Sequence, residues 1–245
     1  MKNIFVAKVP GERDFCIYNI LFNQGCNFII LKFIMATREI NTETWKRKDT
    51  YRFFRTYDSP FFNITANVEV TNAYRFAKEN NYSFFLLCLY ASSKAANSVE
   101  EFRYRIREDK IICYDEVQPG STILLDDETF RYGYFKFHND LKEFHRLGLE
   151  TINHIKIHPV FEPHSEKDDA IYYTVIPWIS FTAFEHAKMH NATDSVPRIG
   201  FGKYYGQSDK MLMPVSVQVN HALMDGIHVA KYYEKFQDAL NNLSL

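Results

Sequence analysis

The stretch MLMPVSVQVNHALMDGIHVAKYYEKFQDAL, from Met211 to Leu240, decides how this chain is read. In its first half Val215, Val217 and Val219 alternate with Ser216, Gln218 and Asn220, which is the period of a half-buried strand. That alternation puts His221 on the apolar side. From Ile227 the spacing becomes helical, with Val229, Tyr233, Phe236 and Leu240 in one stripe and Lys231, Glu234, Lys235 and Asp238 off it. His221 therefore stands where a strand ends and a helix is about to begin. An apolar setting favours uncharged imidazole, a base able to take a proton from a hydroxyl or a thiol. Spacing alone is equally met by a structural histidine, and Asp225-Gly226 by a turn or a helix N-cap.

The run Asn220-His221-Ala222-Leu223-Met224-Asp225-Gly226 resembles the H-H-x-x-x-D-G signature of chloramphenicol acetyltransferases. The flanking GKYYGQSDKMLMPVSVQV and GIHVAKYYEKFQDAL resemble that family's C-terminal block. The shorter H-x-x-x-D is shared by dihydrolipoyl acyltransferases, peptide-synthetase condensation domains and plant acyltransferases, whereas the longer run is specific. One position departs: the first His of the family pair is Asn220, while the second, the family's catalytic base, is kept as His221.

Other segments carry the resemblance further. TWKRKDTYRFF (Thr44 to Phe54) is similar to the family's N-terminal helix, which makes Arg47 the counterpart of the arginine that pairs with the motif Asp. The implied role of Arg47, Asp225 and the adjoining Gly226 is to support the loop bearing His221; in the family the ring itself is held by its own backbone carbonyl. IYYTVIPW followed by ISFTAF resembles S-x-x-P-W-x-x-F, whose Ser hydroxyl donates to the oxyanion of the tetrahedral intermediate. Thr174 occupies that place with the same donor and one added methyl. Without the resemblance, Thr174 reads as a strand threonine and Arg47 as one exposed charge among Lys46, Lys48 and Arg52. Phe53 and Phe54 match an aromatic pair of the acceptor pocket in drug-acetylating members. Leu124 and Leu125 stand where those members tend to have Phe, and Pro60 where some have Cys. The resemblance thus implies an apolar acceptor pocket of altered shape.

Composition bounds the alternatives. With 245 residues, 46% hydrophobic and 24% charged, the chain suits one large globular domain with a substantial core. A net charge of -1 offers no basic field for nucleic acid or an anionic membrane surface. Cysteines at 16, 26, 88 and 113 lack C-x-x-C spacing and read as buried free thiols in a reducing compartment. No Walker or G-x-G-x-x-G sequence cradles phosphates, so coenzyme A must be held otherwise. Residues 1–34 match nothing in the family; NFIILKFIMA is shorter than a membrane span and is interrupted by Lys32. Family-like sequence begins just after Met35, so residues 35–245 are expected to form the domain, with a start codon called too early or a short hydrophobic extension before it.

Between these landmarks the pattern predicts a helix over 41–57 capped by Thr42 or Thr44, a strand from Phe62 to Val70, and a short helix capped by Thr71. A deep helix from Ser83 to Asn97 follows, then a hairpin of 102–107 with 110–114, strands 121–126 and 131–137, and a helix 140–155. Strand 171–178 leads through the Pro177 bend to a second strand, ISFTAF. His138, His145, His154, His158 and His164 lack zincin spacing and read as solvated, so no metal is expected.

Taken together, the resemblance implies a mixed α/β two-layer sandwich of the chloramphenicol acetyltransferase type, assembling as a cytoplasmic homotrimer with active sites between subunits. It implies antibiotic-resistance chemistry: direct transfer from acetyl-CoA, a co-substrate rather than a tightly bound cofactor, to a small hydroxylated acceptor. His221 is the expected base, Thr174 the oxyanion donor, and Phe53, Phe54, Leu124 and Leu125 the acceptor contacts. The rivals are another CoA-dependent acyltransferase with a thiol or alcohol acceptor, and a non-catalytic trimeric binding protein of the same fold.

Overall fold

A computed structural model describes residues 37–163, 168–188 and 193–244, with the backbone of residues 5–6 and 17–18. The expectations for residues 1–34, Cys16, Cys26 and His164 lie outside these residues, apart from an antiparallel pairing of β1 (Phe5–Val6) with β2 (Ile17–Tyr18).

A small sheet orders β3 (Thr37–Ile40), β6 (Lys110–Tyr114) and β5 (Tyr104–Arg107), with α1 (Lys48–Phe54) beside it. The large sheet has seven strands and is built outward from β12 (Lys210–Asn220). On one side β4 (Phe61–Glu69) runs antiparallel, with Phe61 opposite Asn220; on the other, β10 (Arg198–Gly202) runs antiparallel, with Gly200 opposite Ser216. Beyond β10 come β9 (Ala170–Ile176) and β7 (Gln118–Leu124), each parallel to its neighbour, then β8 (Phe130–Tyr134); β11 (Tyr205–Gln207) pairs with the start of β12. Helices α2 (Thr71–Asn80), α3 (Phe84–Asn97), α4 (Leu141–Ile157) and α5 (Gly226–Asn241) cover one face. A 3-10 turn, η1 (Glu100–Arg103), leads from α3 into the small sheet.

The core follows from the periodicities. Val215, Val217 and Val219 meet Leu86, Leu87 and Leu89 of α3 and Val229, Tyr232, Phe236 and Leu240 of α5, each wholly buried. Side chains of this kind contribute roughly 1.5–3 kcal/mol apiece on burial. Ser83 caps α3 by accepting from Leu86 N, and Asp140 caps α4 by accepting from Glu143 N. The fold class is the mixed α/β sandwich that the resemblance implies.

Several local expectations fail for identifiable reasons. β12 is buried on both faces rather than one: Ser216, Gln218 and Asn220 are as inaccessible as the valines. Their polar atoms are matched by remote backbone and side chains, Ser216 Oγ by Phe184 O (2.7 Å) and Gln218 Nε2 by Glu185 Oε1 (2.9 Å). On α5 the buried stripe runs through Tyr232 rather than Tyr233, whose hydroxyl instead donates to Val215 O (2.7 Å) and Ile64 O (3.0 Å). The helix predicted over 41–57 shrinks to Lys48–Phe54, with Arg47 rather than Thr42 or Thr44 at its N-cap. Trp45 is the cause: it leaves the helical path to pack edge-on against Tyr51 and Tyr104. Val70, not Thr71, is the cap residue of α2. ISFTAF is no strand; it crosses the sheet face, and Phe181 and Phe184 sit where side chains on Gly202 and Gly200 would have been. His145 is buried, accepts from Ser83 N (2.9 Å) and stacks on Tyr82, so it is structural rather than solvated. Cys88 and Cys113 are buried free thiols.

Candidate active site

The motif loop lies between two cores. Ala222 and Leu223 belong to the core of the small sheet and Met224 to the main core, all three wholly buried. With these apolar residues committed inward, His221 and Asp225 are left together on the open side, four residues apart. Asn220 ends β12 by an Asx-type turn: Oδ1 accepts from Ala222 N (2.9 Å) and Nδ2 donates to Asp194 O (3.0 Å). At this fully buried position, where the family has its first His, Asn220 accepts through its amide oxygen and donates through its amide nitrogen.

His221 is clamped at both ends of its backbone. Its N–H donates to Pro60 O (2.6 Å) and its carbonyl accepts from Arg47 Nη2 (3.0 Å). The same guanidinium bonds Asp225 Oδ2 through Nη1, so Arg47 ties the carboxylate and the histidine carbonyl into one unit. Burial works to raise the Asp225 carboxyl, but the Arg47 contacts outweigh it, with help from the His221 and His228 charges, and it titrates below the usual carboxylate range.

The imidazole stacks on Phe54, ring centres 4.0 Å apart and nearly parallel, and leans on Phe62 at 4.6 Å. Nδ1 is buried and, among the described residues, makes no hydrogen bond; Asp225 Oδ1 stands 3.2 Å from it. The hold of the ring by its own carbonyl that the resemblance implies is not made: Nδ1 has no hydrogen-bond partner among the described residues, and the carbonyl accepts from Arg47 instead. With Nδ1 buried and the side chain still 34% exposed, Nε2 is the ring nitrogen left to the open side.

Of the residues expected at the site, Arg47, Phe54, His221, Asp225 and Gly226 come together at the C-terminal end of β12. Phe53 lies beside them, 56% exposed and edge-on to Phe54 and Tyr57. Thr174 does not join them. It is opposite Gly200, which is opposite Ser216, five residues before His221. At about 3.3 Å per residue and about 4.8 Å per strand, the two backbones are roughly 19 Å apart within one chain. Leu124 ends β7, on Thr174's side of the sheet, and is exposed; Leu125 follows it. Sequence reasoning missed Phe62, placed only as a strand position, and Tyr57, read as the end of a helix. Pro60, noted only for its side chain, acts through its carbonyl. Among the described residues no group of three or more His, Cys, Asp or Glu is arranged to hold a metal, and no helix is long and apolar enough to cross a membrane.

Comparison with known proteins identifies the family. The chloramphenicol acetyltransferase family model matches residues 35–237. Among relatives, the chloramphenicol acetyltransferase of Proteus mirabilis is 29% identical over 81% of this chain and 92% of its own length. Chloramphenicol acetyltransferase 3 of Escherichia coli is 27% identical over 85% of this chain and 99% of its own. A solved chloramphenicol acetyltransferase superposes with a TM-score of 0.78 at 30% identity, covering 84% of this chain and all of its own. The dihydrolipoamide acetyltransferase of Azotobacter vinelandii shares the fold alone, at a TM-score of 0.61 and 14% identity. The chain belongs to the chloramphenicol acetyltransferase family and is an acyltransferase of that type.

Proposed function

We propose that the protein transfers acetyl from acetyl-CoA directly to the hydroxyl of a small acceptor, with His221 as general base. The observation that carries this reading is the clamp on His221: backbone held by Pro60 and Arg47, ring covered by Phe54, and Nε2 left to the open side. Nε2 takes the acceptor's proton as its oxygen attacks the thioester carbonyl. The oxyanion receives a hydrogen bond from the Thr174 hydroxyl; collapse then expels the coenzyme A thiolate, which takes the proton back from the imidazolium. Acetyl-CoA is a co-substrate, and no tightly bound cofactor enters.

The separation of Thr174 from His221 within one chain favours a site completed by a second subunit, in a homotrimer. Residues 35–245 then act as one acetyltransferase domain, in the cytoplasm. Phe53 and Phe54 serve the acceptor side around the base, and Leu124 and Leu125 the side around Thr174.

Chloramphenicol is expected to be a detectable but weak acceptor. Leu124, Leu125 and Pro60 reshape the acceptor side, and a change of a methylene or two in such a pocket costs about 1–3 kcal/mol of discrimination, or about 10–200-fold. Thiol release from acetyl-CoA, measured against a panel of hydroxyl compounds with chloramphenicol among them, tests both statements. An efficiency near the diffusion limit with chloramphenicol would show those substitutions to be silent. Release with thiols but not alcohols would move the protein to a different acyltransferase, and no release with any acceptor would move it to a binder.

Asp225→Asn is expected to lower both melting temperature and rate, since it strips Arg47 of its charge partner beside the base. Melting and turnover measured on one preparation decide between roles. A large loss of rate at unchanged melting would assign Asp225 to the chemistry itself instead of to the clamp.

A further inference from the structure

His228 occupies the third position of α5, three residues after the N-cap Asp225. Its Nδ1 accepts the Asp225 backbone N–H at 2.9 Å, closing the capping arm that Glu or Gln usually supplies. An imidazole that accepts on Nδ1 carries its proton on Nε2. That nitrogen stands 3.3 Å from Glu101 Oε1 of η1, with both side chains largely withdrawn from water. The charges facing His228 are Glu101 from η1, Arg47 from the segment before α1, and Asp225 and Lys231 from its own helix. Burial lowers its pKa, Glu101 and Asp225 oppose that, and Arg47 and Lys231 add to it, leaving the ring below its ordinary 6.5.

We infer that His228 is a positioning residue: in its neutral form it ties the Asp225 backbone to Glu101, so fixing the carboxylate that Arg47 holds against His221, and its protonation releases that tie. The inference rests on the reading of His221 as base. Protonation converts Nδ1 from acceptor to donor, so a donor would then face the Asp225 N–H and the bond must break. The α5 N-terminus loses its side-chain cap, and Asp225, whose Oδ1 is 3.2 Å from His221 Nδ1, is free to shift. A misplacement of about 1 Å beside a reacting group can cost about a hundred-fold in rate. His228 touches no reacting atom. It acts through Asp225, and the fold thereby acquires an acid-sensitive step besides protonation of the base itself.

The test compares the full-length wild type with His228→Gln and His228→Ala. Glutamine can accept from Asp225 N through Oε1 and donate to Glu101 through Nε2, but it does not titrate. His228→Ala is expected to lose about ten- to a hundred-fold in kcat with the KM for acetyl-CoA little changed, and His228→Gln to restore most of it. On the acid side, log kcat of the wild type should fall more steeply than a slope of about one through the range in which His228 takes its proton, losing about ten- to a hundred-fold more in all than His228→Gln, whose slope stays at about one. Wild-type kcat in His228→Ala would overturn the inference. So would equal acid slopes in the wild type and His228→Gln, a comparison that stands even if the alanine variant fails to fold. Melting as a function of pH supplies a readout without an acceptor. Because the native pKa lies below 6.5, stability is full above that value and is lost as pH falls towards the native pKa. The wild type should therefore lose more melting temperature than His228→Gln across that window, and parallel curves would sink the tie. If no acceptor were acetylated by the wild type while the melting curves diverged, the reading of His221 would fail and the tie would stand.

Discussion

His221→Ala is expected to abolish acetyl transfer by several orders of magnitude while leaving the protein folded. The loop that presents His221 is anchored without it: Ala222, Leu223 and Met224 are wholly buried, and the residue's backbone bonds to Pro60 and Arg47 need no side chain. What the substitution removes is the imidazole and its stacking on Phe54, a contact of about 1 kcal/mol. No neighbour can take over. Asp225 is ion-paired to Arg47, and Nδ1 of His228 is occupied by the Asp225 N–H. Thiol release with the best acceptor of the panel, read beside a melting curve, checks both halves of the statement. Turnover near that of the wild type, with any acceptor, would remove His221 from the role of base.

The parts of this arrangement that the sequence made legible are those whose signal is local. Valines alternating at 215, 217 and 219, and apolar residues recurring along 229–240, report a strand and a helix because their neighbours in space are their neighbours in period. Ser83 and Asp140, where the expected helices start, prove to be the caps of α3 and α4, a role that likewise depends on neighbours in the chain. What stayed hidden depends on partners distant in the chain. Ser216, Gln218 and Asn220 look like a solvated face until Phe184, Glu185 and Asp194 lie over them and satisfy their polar atoms. Trp45 fits a helical stripe, yet its better partners are Tyr51 and Tyr104, and the helix begins later for that reason. The aromatic run ISFTAF has strand character, but Gly200 and Gly202 offer two side-chain-free places into which Phe184 and Phe181 pack. At the site, resemblance brought His221, Asp225, Arg47 and Phe54 together, whereas the lone His228 on a polar helix carried no signal beyond its spacing from Asp225.

Thr174→Val is expected to lower turnover roughly ten- to a thousand-fold, the loss of one oxyanion donor, while Thr174→Ser is tolerated. Valine keeps the branched shape at a strand position and removes only the hydroxyl, so β9 and its pairing with Gly200 should persist. The stronger form of the test uses the separation within one chain, roughly 19 Å by strand register. If each site takes its base from one subunit and its oxyanion donor from the next, the His221→Ala and Thr174→Val proteins complement each other. In a cyclic trimer of mixed composition, one of the three interfaces joins an intact His221 to an intact Thr174. Equal mixing makes three-quarters of the trimers mixed, so about a quarter of all sites should be wild-type in composition. Co-expression, or joint unfolding and refolding, should therefore recover about a quarter of wild-type activity from two proteins that are each nearly inactive. Mixing the folded proteins without subunit exchange should recover none. Recovery by exchange alone requires that the two residues meet across an interface. Failure to recover activity in verified mixed trimers would mean either that one chain rearranges to bring Thr174 to its own His221, or that Thr174 is no part of the site. The turnover of Thr174→Val alone separates those two outcomes, since valine would be silent only in the second.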